Sequence, residues 1–180
     1  MIYEPSEDSF LLGSQVSKFV KNKSFLDMGS GSGIQSEIAL KSHASSVLAV
    51  DKDQKSVSFL KSKNIPAIKS DLFSKINKNQ KFDIIAFNPP YLPYDKREDK
   101  ESQKVTTGGK LGDEIILKFL PQAVSHLSNK GLILLLVSSL TPQVKINTLL
   151  KKLKLSKQVL AEEKLFMEKL EVWKIEKKLQ

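Results

Sequence analysis

The sequence predicts an α/β fold: a doubly wound, mostly parallel sheet that ends in an antiparallel hairpin. Three observations lead there. Short apolar runs alternate with stretches of helical periodicity from residue 12 onward, the pattern of strands linked by crossover helices. The first four apolar runs each end in or beside a polar residue (Asp27, Asp51, Asp71 and Asn88), as strands do when they deliver side chains to a crevice. The last two runs, about 157 to 165 and 169 to 176, lie too close in sequence for a crossover and therefore pair as a hairpin.

The elements follow in order. After the acidic start Ser6-Glu7-Asp8, Leu12, Val16, Phe19 and Val20 share one helical face. SFLDM is a strand that enters a glycine loop, Ile34 to Lys41 a helix, and SVLAVD a strand ending at Asp51. Residues 53 to 63 form a helix, AIKSDL a short strand ending near Asp71, and FDIIAF a strand ending at Asn88. Residues 94 to 110, charged and without period, read as a loop closed by glycines. Residues 113 to 127 give an amphipathic helix with a kink expected at Pro121, GLILLLVSS a buried central strand, and Thr141 to Lys152 a final helix. With the hairpin, that makes seven strands. Right-handed crossovers then place the loops after Met28, Val50, Ser70 and Phe87 around one crevice.

The 180 residues suit a single domain over 1 to 180, large enough to bury a core. The absence of cysteine excludes disulfides, thiolate catalysis and Cys-ligated zinc. His43 and His126, far apart, suggest no metal motif and are expected on helices. LILLLV is too short to span a bilayer and MIYEPSEDSF is acidic, unlike a signal peptide, so a cytoplasmic protein is expected, with no membrane partner. The net charge of +9, from 29 Lys and Arg against 20 Asp and Glu, permits a polyanionic partner. Its lysines are scattered, however, which favours a solvated surface.

The crevice residues carry the chemistry. In FNPPYLP, Pro89 and Pro90 stiffen the chain and withhold two backbone donors, so Asn88 sits on a rigid ledge at a strand end. In Asp27-Met28-Gly29-Ser30-Gly31-Ser32-Gly33 the glycines alternate, which lets the backbone approach a ligand. Neither the two-residue gap of a dinucleotide fingerprint nor the Gly-Lys-Ser/Thr of a P-loop is present. Asp51 can accept from two ribose hydroxyls and Asp71 from an exocyclic adenine amine. Together they describe an adenosine site without phosphates.

DMGSGSG, AVD, SDL and NPPY, in that order, resemble class I methyltransferases that act on planar amino groups. YEPSEDSFLL at 3 to 12 and GGKLG at 108 to 112 are similar to the HemK-type glutamine methyltransferases of release factors, in the short form that lacks an N-terminal helical domain. The resemblance implies a Rossmann-like methyltransferase sheet and S-adenosyl-L-methionine as cofactor. It also implies that Asn88 and the Pro89 carbonyl accept the two amide protons of a substrate glutamine, with Pro90 stiffening the ledge and Tyr91 walling the amide. It places Ser9 at the methionine end of the cofactor, Asp27 near the amino group, Gly29 and Gly31 against the cofactor, and Leu72 beside Asp71 at adenine. A class I release factor would be the substrate, and a small zinc-binding subunit an activator. Two other readings stay open: a nucleic-acid methyltransferase, since adenine and cytosine present the same two protons, and a noncatalytic RNA- or ribosome-binding module.

Overall fold

In the computed structural model, which describes residues 5–91 and 107–178, a seven-stranded sheet has the order β3-β2-β1-β4-β5-β7-β6. The strands are β1 (Ser24–Met28), β2 (Ser46–Asp51), β3 (Ala67–Lys69), β4 (Phe82–Phe87), β5 (Leu127–Ser138), β6 (Leu155–Lys164) and β7 (Lys169–Lys177). β1 to β5 pair in parallel, and β7 runs antiparallel to both β5 and β6, so that β7 alone is reversed. The expected doubly wound sheet with a terminal hairpin is thus observed.

Helices cover both faces because the strands alternate. Phe25, Ile84 and Leu134 meet α1 (Glu7–Phe19) and α2 (Ile34–Lys41) through Leu12, Val16 and Ala39. Leu26, Ile85 and Leu135 meet α4 (Glu114–His126) and α5 (Gln143–Lys152) through Ile116, Phe119, Leu120, Ile146 and Leu150. The remaining helix, α3 (Gln54–Ser62), buries Val57 and Leu60 against Ala49 and Ala67. Strand side chains project to opposite faces with period two, so a run apolar at every position buries two cores at once.

Several boundaries differ from the sequence expectation, each for a local reason. β3 stops at Lys69 instead of continuing to Asp71: the Ser70 hydroxyl donates to the Leu72 carbonyl (2.8 Å) and accepts the Lys75 N–H (3.0 Å), turning the chain. β5 begins four residues before Gly131, with a register shift opposite Phe82 and Ile84. There Gly131 approaches so closely that a Cβ would lie 2.8 Å from the Phe82 carbonyl oxygen. His43 is not helical; it sits just past α2 at φ 62°, where the His43 and Ala44 N–H groups donate to Leu40 and Ala39 carbonyls as a left-handed helix cap. His126 does end α4, stacked on Phe73 with its Nδ1 2.9 Å from the Gln80 carbonyl oxygen. α4 runs through Pro121 on its exposed side. Of the loop expected over 94 to 110, only residues 107–110 lie within the described residues.

β1 and β4 form the switch point of the sheet: from β1 the chain winds toward β2 and β3, from β4 toward β5. Ligands in open α/β sheets bind outside the strand ends at such a point.

Candidate active site

Register makes the site. Met28 pairs with Phe87 across β1 and β4, so the glycine loop and the proline ledge leave the sheet side by side. Gly29, Gly31 and Gly33 have φ values of 63°, 50° and 84°, all in the left-handed region that side chains disfavour. Gly33 serves packing rather than ligand approach: a Cβ there would collide with Leu60 Cδ2. The Gly31 N–H donates to Asp51 Oδ2 (2.8 Å) while the Asp53 N–H donates to Oδ1 (2.8 Å). Both bonds lock the Asp51 carboxylate at the end of β2 and leave each oxygen a further lone pair.

Asp27 is 2% exposed beneath this loop. Its Oδ2 accepts the Ser36 N–H (3.0 Å) and Ser36 hydroxyl (2.7 Å). Burial pushes its pKa up to about 7; the two Ser36 bonds pull it down and the Asp51 charge raises it further. Ser36 is the third residue of α2, so one of that helix's N-terminal donors is already taken by a buried carboxyl group. A pyrophosphate would find an acidic residue where a phosphate-binding helix offers free N–H groups. The glycine spacing, which lacks a phosphate-binding fingerprint, is thus accompanied by a carboxyl group on one of the helix's N-terminal donors.

Asp71 is exposed in the turn after β3, next to Leu72, which is 9% exposed and held at φ 48°. A left-handed leucine costs on the order of 1 kcal/mol, a strain found where backbone must shape a pocket. On the ledge, the Asn88 side chain is fixed from one side only: its Nδ2 donates to Asp8 Oδ2 (3.0 Å), and its Oδ1 is buried with no partner. Behind the ledge, GGKLG packs so tightly that a Cβ on Gly108 would collide with the Pro90 carbonyl oxygen. The Tyr91 ring packs against the core on the α1 side, while its carbonyl accepts from the Thr141 hydroxyl (3.4 Å). Ser9 is 2% exposed, its hydroxyl donating to Asp8 Oδ1 (3.1 Å) and its carbonyl accepting from Gln35 Nε2 (2.8 Å).

One cavity of about 490 Å³ brings these groups together. Ser9, Asp27, Gly29 and Gly31 border it with Asp51; so do Asp71, Leu72 and the ledge from Asn88 to Tyr91. Asp8, Gln35 and Ile115 also line it and were not anticipated. Asp8 lies in the first turn of a helix, where an acidic residue reads as a complement to the helix dipole. Gln35 has no motif. The cavity combines carboxylates of Asp8, Asp27, Asp51 and Asp71 with apolar surface from Val50, Leu72, Phe87 and Ile115. That donor set fits S-adenosyl-L-methionine, an adenosine whose tail carries two positive charges: apolar walls suit the base, and acidic acceptors suit the ribose and the cationic end.

Comparison with known proteins agrees with this chemistry. The methyltransferase small domain model matches residues 7–167. A Methanocaldococcus jannaschii protein provisionally named a protein N5-glutamine methyltransferase is 36% identical over 179 residues, covering 95% of this chain and 89% of the relative. The release factor glutamine methyltransferase of Fusobacterium nucleatum is 36% identical over 92 residues, covering 47% of this chain and 26% of its own. Among solved structures, the E. cuniculi Mtq2–Trm112 complex, described as responsible for methylation of the termination factor eRF1, superposes with a TM-score of 0.79 at 25% identity over 98% of both chains. The T. thermophilus 16S rRNA N2 G1207 methyltransferase in complex with AdoMet and guanosine shares the fold at a TM-score of 0.72 and 21% identity, over 97% of this chain and 44% of that one. Matched by that family model over residues 7–167, the chain belongs to the methyltransferase small domain family and is a methyltransferase.

Proposed function

We propose that the protein, acting as one domain over residues 1 to 180, transfers a methyl group from S-adenosyl-L-methionine to the side-chain nitrogen of the glutamine in the Gly-Gly-Gln loop of a class I release factor. The observation that carries this is the Asn88 Oδ1: a buried acceptor without a partner, on a ledge stiffened by two prolines, belonging to a residue that lines the same cavity as Asp51 and Asp71. A buried unsatisfied acceptor costs about 1–3 kcal/mol and persists where a ligand satisfies it. The cofactor supplies an electrophilic methyl group on a sulfonium.

Everything else is the work of the chain. Asp51 and Asp71 would hold the adenosine, Leu72 would pack on its base, and Gly29 and Gly31 would let the backbone close on it. Ser9 and Asp27 would receive its cationic end. Asn88 Oδ1 and the Pro89 carbonyl would accept the two amide protons of the glutamine, and Tyr91 would bound its plane. Amide nitrogen is a weak nucleophile because its lone pair is delocalised. Two fixed acceptors orient that lone pair and stabilise the positive charge that develops on nitrogen. Once the N–C bond has formed, the extra proton leaves to solvent, so no strong base is needed.

The relatives named for release factor methylation support the substrate, and the Mtq2–Trm112 assembly supports a partner subunit for this chain as well, which the family resemblance implies is a small zinc-binding activator. A cytoplasmic location follows from that substrate. Among the described residues, no helix is long and apolar enough to cross a membrane. The test is mass spectrometry of the Gly-Gly-Gln loop after incubation with protein and cofactor, with and without the candidate subunit. Single- and double-stranded DNA serve as competing acceptors. Addition of one methyl group to wild-type factor, and none to its Gln→Ala variant, is expected. Transfer to DNA with none to the factor would replace this reading with the nucleic-acid one.

A further inference from the structure

We propose that Asp8 is a positioning residue that selects which end of the Asn88 amide meets the substrate; this rests on the reading of Asn88 as the acceptor of amide protons. An asparagine amide is nearly symmetric in shape, with an acceptor oxygen and a donor NH2 at equivalent corners. Packing alone therefore leaves two orientations, and only one offers the crevice an acceptor. Asp8 removes the ambiguity. Its Oδ2 accepts from Asn88 Nδ2 at 3.0 Å, which turns Oδ1, buried and unpartnered, to the other side.

The carboxylate can do this because it is itself held. Asp8 is 4% exposed, and its Oδ1 accepts from the Ser6 hydroxyl (3.0 Å), the Ser9 N–H (2.5 Å) and the Ser9 hydroxyl (3.1 Å). Those donors come from its own helical turn and consume one side of the group, so the other oxygen points across to a residue 80 positions away. α1 is anchored in turn by the fully buried Leu12 and Val16 and by the bond from Gln35 to the Ser9 carbonyl. The Asn88 to Asp8 bond also has an electronic effect. Donation from Nδ2 to a carboxylate shifts amide electron density toward Oδ1, which strengthens it as an acceptor of the substrate's protons.

Asp8→Asn keeps the shape while removing the charge and replacing one acceptor oxygen with a donor NH2. Three donors surround the Oδ1 position, so the new oxygen takes that side and the new NH2 faces Asn88. The Asn88 amide must then turn over and present its NH2 to the crevice. Single-turnover transfer to a class I release factor, measured at saturating cofactor, is expected to fall about 100-fold or more. Asn88→Asp alone sets two carboxylates against each other and is expected to be as poor. The double variant Asp8→Asn/Asn88→Asp restores a donor and an acceptor with roles exchanged, and leaves a carboxylate oxygen toward the crevice. It should recover at least about tenfold over either single variant, a coupling that loss of mere structural support does not produce.

Additive losses in the double variant, or Asp8→Ala with transfer within about threefold of wild type, would overturn the proposal. Hydrogen exchange of the Asn88 Nδ2 protons in 15N-labelled, cofactor-bound protein decides it without any substrate. Exchange at least about tenfold faster in Asp8→Asn and Asp8→Ala is expected, and equal exchange sinks the proposal. If wild-type protein transfers nothing to the release factor, the substrate reading fails on its own. The role of Asp8 is then decided by the exchange measurement and by the same variants on single-stranded DNA.

Discussion

Asp27 is a carboxyl group whose environment penalises its charge: burial pushes its pKa up to about 7, far above the 3.8 of an ordinary aspartate. In the ligand-free protein, stability from this residue is full below about pH 4 and is lost as pH rises to about 7, because the unfolded chain ionises first. A cation bound beside it reverses the preference. Cofactor affinity is therefore expected to rise with pH up to about 7, by at most about tenfold per unit, and then level off. Calorimetry from pH 5.5 to 8.5 checks this; Asp27→Asn should flatten the profile, and a flat wild-type profile would exclude Asp27 from the cationic end. Asp51 acts differently. Its oxygens are fixed by Gly31 and Asp53, so Asp51→Ala removes the ribose acceptors proposed above and loosens the glycine loop together. A loss of affinity of at least about 100-fold, or ~2.7 kcal/mol, is expected by calorimetry.

At the scale of elements, the strand starts opposite the site are tied by Asp83 on β4. Its Oδ2 accepts the Ser24 N–H (3.0 Å) and hydroxyl (2.9 Å), and its Oδ1 accepts the Ser128 hydroxyl (2.7 Å), joining β1, β4 and β5. The Ser24 backbone bond leads in holding its pKa below the ordinary value, against the opposing effect of burial. Asp83→Asn is expected to cost about 1–2 kcal/mol near neutral pH. That deficit should shrink as pH falls below about 3.8, where the wild-type carboxyl also takes up its proton; urea titrations at pH 7 and pH 3 measure both. The elements themselves were legible because strands buried on both faces and helices with one apolar stripe leave unlike periodicities. Their ends were less so. A serine side chain that captures backbone, as Ser70 does, or a glycine that admits a bulge, as Gly131 does, acts through geometry that no period records. Asp8 was missed for a related reason: its partner Asn88 is brought to it only by the docking of α1 on the sheet.

For the molecule as a whole, the +9 charge sits on a fold whose crevice is lined by more aspartates than lysines, Lys52 and Lys55 being at its border, so most of the basic residues lie outside it. Long-range attraction to an acidic factor or a nucleotide-bearing complex would speed encounter and be screened by salt, while the buried acceptors at Asn88 would not. Raising ionic strength from about 50 to 300 mM is expected to raise KM for a release factor several-fold and to leave kcat within about twofold. Equal effects on both would place the charges in the chemical step.

The last strand in sequence is not the last in the sheet. β7 lies between β5 and β6, so the fully buried edge of β5, Ile133 to Val137, has no neighbour on that side until residues 169 to 177 are available. During synthesis the ribosome must deliver nearly the entire described chain before this edge is closed, and until then an apolar strand waits with unpaired N–H and C=O groups. Closure of the sheet is thus timed by the delivery of residues 169 to 177. A chain stopped after residue 166 is expected to aggregate or be held by chaperones, although every residue discussed at the crevice is present. Light scattering of the truncated protein after release checks this, and a soluble, cofactor-binding fragment would show that the open edge is tolerated.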